Sequence, residues 1–156
     1  MSTHEWLALL RQSVDAFNTY RASHPGEPVS LFEADLSFSS LQRVNLAGAD
    51  LRRCCMEGCD LAGARLDGAR MEHANLRTAR LAGASLRDVT LVGGTCQGAD
   101  LRDASLEGAR LKRVVFCDAD LRGATFRGAD LAEADLRWAK YELDCVETDL
   151  TTARIR

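Results

Sequence analysis

The sequence is short of most of what a globular core or an active site is usually built from. Only 6% of its 156 residues are aromatic, two Trp, two Tyr and five Phe, so no large aromatic core holds it together. Its two prolines, Pro25 and Pro28, share one short segment, and the rest of the chain is free of proline breaks. No apolar run reaches the roughly 18–20 residues of a membrane-spanning helix, which excludes one. Neither sign of charge dominates: 20 Lys and Arg against 23 Asp and Glu leave a net charge of −3, with the arginines interleaved among the acids. Direct nucleic-acid binding is therefore not expected, nor is a membrane partner. The start, Met1-Ser2-Thr3-His4-Glu5-Trp6, lacks the basic and apolar stretches of a secretory signal, and a cytoplasmic location is expected.

The six cysteines include no C-x-x-C pair and no His–Cys cluster at zinc spacing, and His4, His24 and His73 are scattered. No metal site, disulfide framework or cofactor is expected from them. No nucleophile, base and orienting group stand in a pattern that would converge on a pocket, so no catalytic residue is assigned and the protein is not expected to be an enzyme.

What the chain has in abundance is regularity. From Leu36 to Val146 an apolar residue recurs at every fifth position, 23 times without insertion or deletion, and 16 of these are Leu. The exceptions are Met56, Met71, Cys96, Phe116, Phe126, Tyr141 and Val146. Two residues before each stands a small residue, Ala in 15 of the 23 cases. A period of five is neither the 3.6 of a helix nor the 2 of a strand, so the repeat dictates an architecture of its own. Glycine falls two residues after the apolar centre ten times, from Gly48 to Gly128, marking a corner where the chain turns tightly.

The repeat reads A-D/N/S/R-L-x-x, as in Ala49-Asp50-Leu51-Arg52-Arg53 and Ala129-Asp130-Leu131-Ala132-Glu133, and over Leu31 to Val146 it resembles the pentapeptide-repeat family. The resemblance implies an all-β solenoid, a right-handed quadrilateral β-helix in which four pentapeptides make one square coil. Each side then points one large and one small residue inward, and a stacked bore can close-pack. About six coils at roughly 4.8 Å per step make a rod on the order of 29 Å long. Cys54, Cys59 and Cys96 fall at inward positions, where Cys acts as a small hydrophobe, while Cys55, Cys117 and Cys145 are expected to face outward. The aspartates just before a central Leu (Asp35, Asp50, Asp60, Asp100, Asp120, Asp130 and Asp135) are expected to hydrogen-bond the backbone along the coil.

Residues 1–30 read as a cap and linker, 31–148 as the repeat rod and 149–156 as a C-terminal tail. Ser2 with Glu5 forms a capping-box signature, and Trp6, Leu7, Leu10, Val14 and Phe17 share one helical face opposite Glu5, Arg11, Gln12, Asp15 and Asn18. One helix from about Thr3 to Ala22 is expected to plug the first coil and cover its exposed edge. Phe38, pointing outward in that coil, is expected to be covered by the helix or the linker after it. At the other end Asp144 takes an inward position, which a continuing stack tolerates badly, and beyond Val146 the pattern resumes one residue early. Trp138 and Leu143 fall on corners, and with Tyr141 and Val146 they are the candidate self-association residues of a possible homodimer through this end.

A packed square rod has no cleft, which leaves binding to a protein partner, as an interaction or scaffold module, as the expected function. The identity of the partner is not legible. Some family members inhibit or protect type II topoisomerases such as DNA gyrase by mimicking duplex DNA, and the resemblance offers this as the alternative. Mimicry demands a row of carboxylates along one face. Taking every twentieth residue as one face, Asp35, Glu57, Asp118 and Asp135 stand against Arg77 and Arg137, a net of −2, and two further faces sum to 0 and −1. On the fourth, Asp50, Glu72, Asp130 and Glu133 stand against Arg52, Arg53, Arg70, Arg110, Lys112 and Arg113, a net of +2. No face is an acidic stripe. The six basic residues of the fourth are the candidate patch for an anionic partner.

Overall fold

The computed structural model describes residues 1–141, 148 and 150–155. From Ser30 onward the chain climbs in coils of 20 residues, each side pairing in parallel with the side directly above it: Ser30 with Asp50, Asp50 with Arg70, and so on to Asp120 with Lys140. Three hydrogen bonds make each step, one of them from the corner amide, as Glu33 N to Arg52 O (3.0 Å). The amide of a central residue donates upward, as Leu31 N does to Asp50 O (2.8 Å), and the amide before the next centre donates back, as Asp50 N does to Val29 O (2.9 Å).

Every side ends in a turn closed by an amide donating back to the central carbonyl, Ala34 N to Leu31 O at 2.9 Å being the first. The third residue of each such turn has positive φ, from Glu33 to Trp138: twelve non-glycine residues and ten glycines. That is the conformation a type II turn demands, and it explains the glycines read as corners. At some of them space matters as well. A Cβ on Gly58 would stand 2.6 Å from the Phe38 ring one coil below, and a Cβ on Gly93 would stand 2.8 Å from the His73 ring.

The bore is dry and continuous. Central residues from Leu46 to Leu121 are 0–1% exposed, the small inward residues are buried up to Ala134 except half-exposed Ser39, and among the described residues no polar or charged residue is buried. Phe116 and Phe126 meet edge to face at 6.3 Å near the upper end. Outward aspartates hold the one amide per side that the ladder leaves free. Each of the seven named above accepts from the amide two residues on, from Ser37 N to Asp35 (2.9 Å) to Arg137 N to Asp135 (3.3 Å).

The cap differs from the expected single helix. It is two, α1 (Thr3–Gln12) and α2 (Val14–Ser23), with extended Ser13 between them. Ser13 ends α1 and caps α2 by accepting from Ala16 N at 2.9 Å, a role short hydroxyl side chains favour. The Ser2–Glu5 capping box is present. The break lets Trp6 and Phe17, both 0% exposed, meet edge to face at 5.6 Å over the first coil. Asn18, expected on the solvent side, instead seals the sheet edge: its Nδ2 donates to Arg43 O (3.0 Å) and its Oδ1 accepts from Asn45 N (2.8 Å). Arg21 donates to Ala47 O at 2.7 Å. By the ladder's register, the amide that would reach this carbonyl from below belongs to residue 28, a proline with no N–H.

Two expectations about exposure fail. Phe38 is not covered; it is 77% exposed, while Asn18 and Arg21 tie α2 to the Arg43–Ala47 part of the coil base. Cys117 does occupy an outward position but is buried, 7% exposed, near Asp135 and Arg137 one coil above, with its sulfur 4.0 Å from Asp135 O. At the C-terminal end Leu150 to Arg154 adds one more side. Arg154 pairs with Asp135, a step of 19 rather than 20, and Leu136 N donates to Arg154 O at 2.8 Å. Asp144 and Cys145 lie outside the described residues.

Candidate interaction surfaces

In an extended side the residues before and after the inward centre both point outward, about 7 Å apart. Where the sequence reads Asp-Leu-Arg this places a carboxylate and a guanidinium side by side, and they close into a two-pronged fork. The fork occurs at Asp50–Arg52, Asp100–Arg102, Asp120–Arg122 and Asp135–Arg137, with Nε to Oδ1 at 2.8 Å and Nη2 to Oδ2 at 2.6–2.7 Å. Such bidentate pairs are the strong, oriented kind. The arginine hydrogen bonds hold the carboxyls below their usual range, Asp120 at about 2; Asp135 is pushed down by Arg137 in the same way. The tripeptide is plain in the sequence, and the fork adds a side-chain partner to the backbone amide that each of these aspartates holds.

The six basic residues of the fourth face do lie on one side of the rod, and most are matched. Arg52 is forked with Asp50, Arg53 pairs with Glu33 (3.1 Å), and Arg70 lies 3.9 Å from Glu72. Lys112 and Arg113 share Glu133 at 3.6 and 2.8 Å. Glu33 belongs to this face and was missing from the charge sum. Among the described residues only Arg110 of the six makes no ion pair. The other faces behave alike, with Arg80 bridging down to Asp60 (3.2 Å) and Arg87 up to Glu107 (3.4 Å). Among the described residues the charges that pair do so locally, within one side or with the coil above or below.

Of the candidate self-association residues, Trp138 is 67% exposed on its corner, with the Arg137 guanidinium 5.2 Å from its ring centroid. Tyr141 is half-buried and, with Leu121, Phe126, Leu131, Leu136, Leu150 and Ile155, lines a small apolar pocket of about 20 Å³ at the C-terminal end. Leu143 and Val146 lie outside the described residues.

Among the described residues no group of His, Cys, Asp and Glu is placed to hold a metal ion. No helix is long and apolar enough to cross a membrane. Burial pushes the thiols of Cys54, Cys59 and Cys96 up to about 12, which keeps them protonated at neutral pH.

The pentapeptide-repeats family model matches residues 30–68, 54–93, 69–108 and 109–140. Among solved structures the chain is similar to HetL, a pentapeptide repeat protein involved in heterocyst differentiation regulation from the cyanobacterium Nostoc sp. strain PCC 7120, at 34% identity over 81% of this chain and 70% of that one (TM-score 0.47). It is similar to a pentapeptide repeat protein of the Arabidopsis thaliana thylakoid lumen at 31% identity over 63% of this chain and 72% of that one (TM-score 0.51). The pentapeptide repeat protein Rfr23 of the cyanobacterium Cyanothece 51142 matches at 20% identity over 80% and 97% of the two chains (TM-score 0.52). No curated protein sequence matches the chain. With the repeat matched from residue 30 to residue 140 and the 20-residue coil drawn from the same residues, the chain belongs to the pentapeptide-repeat family.

Proposed function

We propose that this protein is a non-enzymatic, cytoplasmic interaction module, a right-handed square rod of about six coils that presents flat faces to a protein partner. One observation carries the reading. Many of the rod's outward charges are tied to one another in forks and ladders, which orders its faces. Ordered side chains lose little entropy on docking, which favours a preorganised protein contact. The topoisomerase alternative asks for carboxylates that stand in for phosphates. Here two of the four carboxylates of the −2 face, Asp35 and Asp135, are committed to backbone amides, and Asp135 also to Arg137, which weighs against that alternative. We further propose self-association through the C-terminal end, where Trp138 is exposed beside the apolar pocket.

The test is a photo-cross-linker placed in turn on each face, at Gln97, Ala82, Glu107 and Val92, in the cells that make the protein. One partner captured from one face or two adjacent faces is expected. Capture from none, or equal capture from all four, overturns the reading. Gyrase supercoiling with the protein titrated in separates the alternative, and no inhibition or quinolone protection is expected.

A further inference from the structure

The first coil has no coil beneath it, so its lower edge carries main-chain groups that every other coil satisfies. The cap meets this need on one half only. Around Asn45 and Ala47, Asn18 accepts from Asn45 N and Arg21 donates to Ala47 O, and Asn18 also donates to the corner carbonyl of Arg43. Along Asp35 to Gln42 nothing does. Among the described residues the amides of Asp35 and Ser40 have no acceptor, and the carbonyls of Asp35, Ser37, Ser40 and Gln42 receive no donor. In the coils above, those same positions are paired throughout the stack.

This open edge is one wall of a groove of about 430 Å³, a ligand-sized volume. Leu10 and Arg11 of α1 form the facing wall, and Leu36, Leu41, Ser37, Ser39 and Ser40 complete it with Asp35. Ser39 occupies an inward small-residue position, where the coils above place buried Ala or Cys, yet it is half-exposed at the mouth of the bore. Phe38 stands on the corner between the two open sides, 77% exposed and at φ 56, a conformation that costs a bulky residue strain.

We propose that the edge from Asp35 to Gln42 is a docking site for an extended segment of a partner polypeptide, which adds beneath the first coil as the two sides it lacks. The inference rests on the interaction-module reading and names the surface. The chemistry selects the occupant. The unmet groups recur as one donor and two acceptors per side, the set that an extended side below meets in every other coil, and another extended backbone is what matches such a row; a helix has its own main-chain groups already paired. One Arg and one Asp line the groove, so no net field favours an ion. An apolar residue at every fifth position of the segment would face the groove's apolar lining, Leu10, Leu36 and Leu41.

The probe is a synthetic peptide copying residues 60–69, two regular sides of this rod, titrated into the isotope-labelled full chain with a scrambled peptide as control. Saturable shifts at the Asp35 and Ser40 amides are expected, with their hydrogen exchange slowed by about tenfold or more at saturation. Two variants report on the contact. S40P deletes one donor. R11W fills the groove from the exposed face of α1 without touching the coil, and keeps the test alive if S40P fails to fold. Each is expected to weaken the peptide by about tenfold.

Equal shifts with the scrambled peptide, none at millimolar peptide, or shifts that arise from protein concentration alone, the mark of a second copy on the edge, overturn the proposal. A silent edge with a partner cross-linked to a rod face refutes the docking site and leaves the interaction module standing. A silent edge with no cross-linked partner removes both.

Discussion

The two ends of the rod face the same problem and solve it differently. At the lower end a separate structure is brought in: two short helices place Trp6 and Phe17, both fully buried, over the bore, while Asn18 and Arg21 hold edge groups. At the upper end the chain continues itself, with Leu150 to Arg154 laid on as one more side in a register shortened by one residue. The lower seal is made of large aromatics in edge-to-face contact, Trp6 with Phe17 and with Tyr20 at 5.6 Å. At the upper end Phe126, 3% exposed, lines the apolar pocket, and Ile155 in the same pocket is 45% exposed. A solenoid end needs both an apolar plug and partners for its backbone, and the lower plug holds the largest fully buried side chain, Trp6.

Damage to the lower seal is therefore expected to cost most. Trp6→Ala empties a fully buried site and is expected to lower stability by about 3–5 kcal/mol in urea unfolding. Ile155→Ala, its counterpart above, is expected to cost about 1 kcal/mol or less, since the side chain is already partly in water. Equal costs would break the comparison.

The polar half of the seal comes next. Asn18→Ala removes a donor and an acceptor at once and leaves Asn45 N and Arg43 O to water or to nothing. A loss of about 1–2 kcal/mol is expected, with faster hydrogen exchange at Asn45 and no change at the coils above Leu61. If exchange at Asn45 is unmoved, the cap acts as an apolar plug alone.

Acid is expected to act more on the upper end, because three of the four Asp–Arg forks stand at Asp100, Asp120 and Asp135. The fork to Arg122 depresses Asp120 to about 2 in the folded chain, below its ordinary 3.8. The unfolded chain therefore binds protons first as pH falls. The fork's contribution is complete above about pH 4 and is lost on the way down to about 2. Hydrogen exchange at pH 7 and pH 3 should show the coils above Leu101 losing protection before those around Leu61 and Leu66, and Asp120→Asn should flatten the difference. Uniform loss along the rod would show that the forks do not govern the acid response.

These contrasts also mark what could be read from residues alone. A period of five with a small partner gives the coil, the bore and the corners, because stacking makes the same demand of every side. The cap's capping box and apolar face were legible for the same reason: they are local. The break at Ser13 was not, since Trp6, Leu10, Val14 and Phe17 fit one continuous helix and only docking on the coil shows that two are needed. Asn18 was read as solvent-facing because its partners lie 25 and 27 residues away. Arg53 was counted as a free cation because Glu33, one coil below, was left off its face. Cys117 is covered by the coil above it, which no local pattern records. What escaped the sequence is what one coil does to the next through outward side chains.

The smallest expected change in stability is the one that bears on association. Trp138→Glu alters a side chain that is 67% exposed and packs mainly under the Arg137 guanidinium, so unfolding should move by no more than about 0.5 kcal/mol. The residue also stands at positive φ, where Trp gains nothing from its backbone that Glu would lose. If the upper end is an interface between two copies, the charge placed there should abolish a dimer that sedimentation detects in the unaltered protein, while Phe38→Glu at the lower end leaves it intact. An unaltered protein that sediments as a monomer at high concentration sinks the dimer. The aromatic at the upper corner would then be a surface for another protein, and the two ends would differ in how they are sealed but not in what they are for.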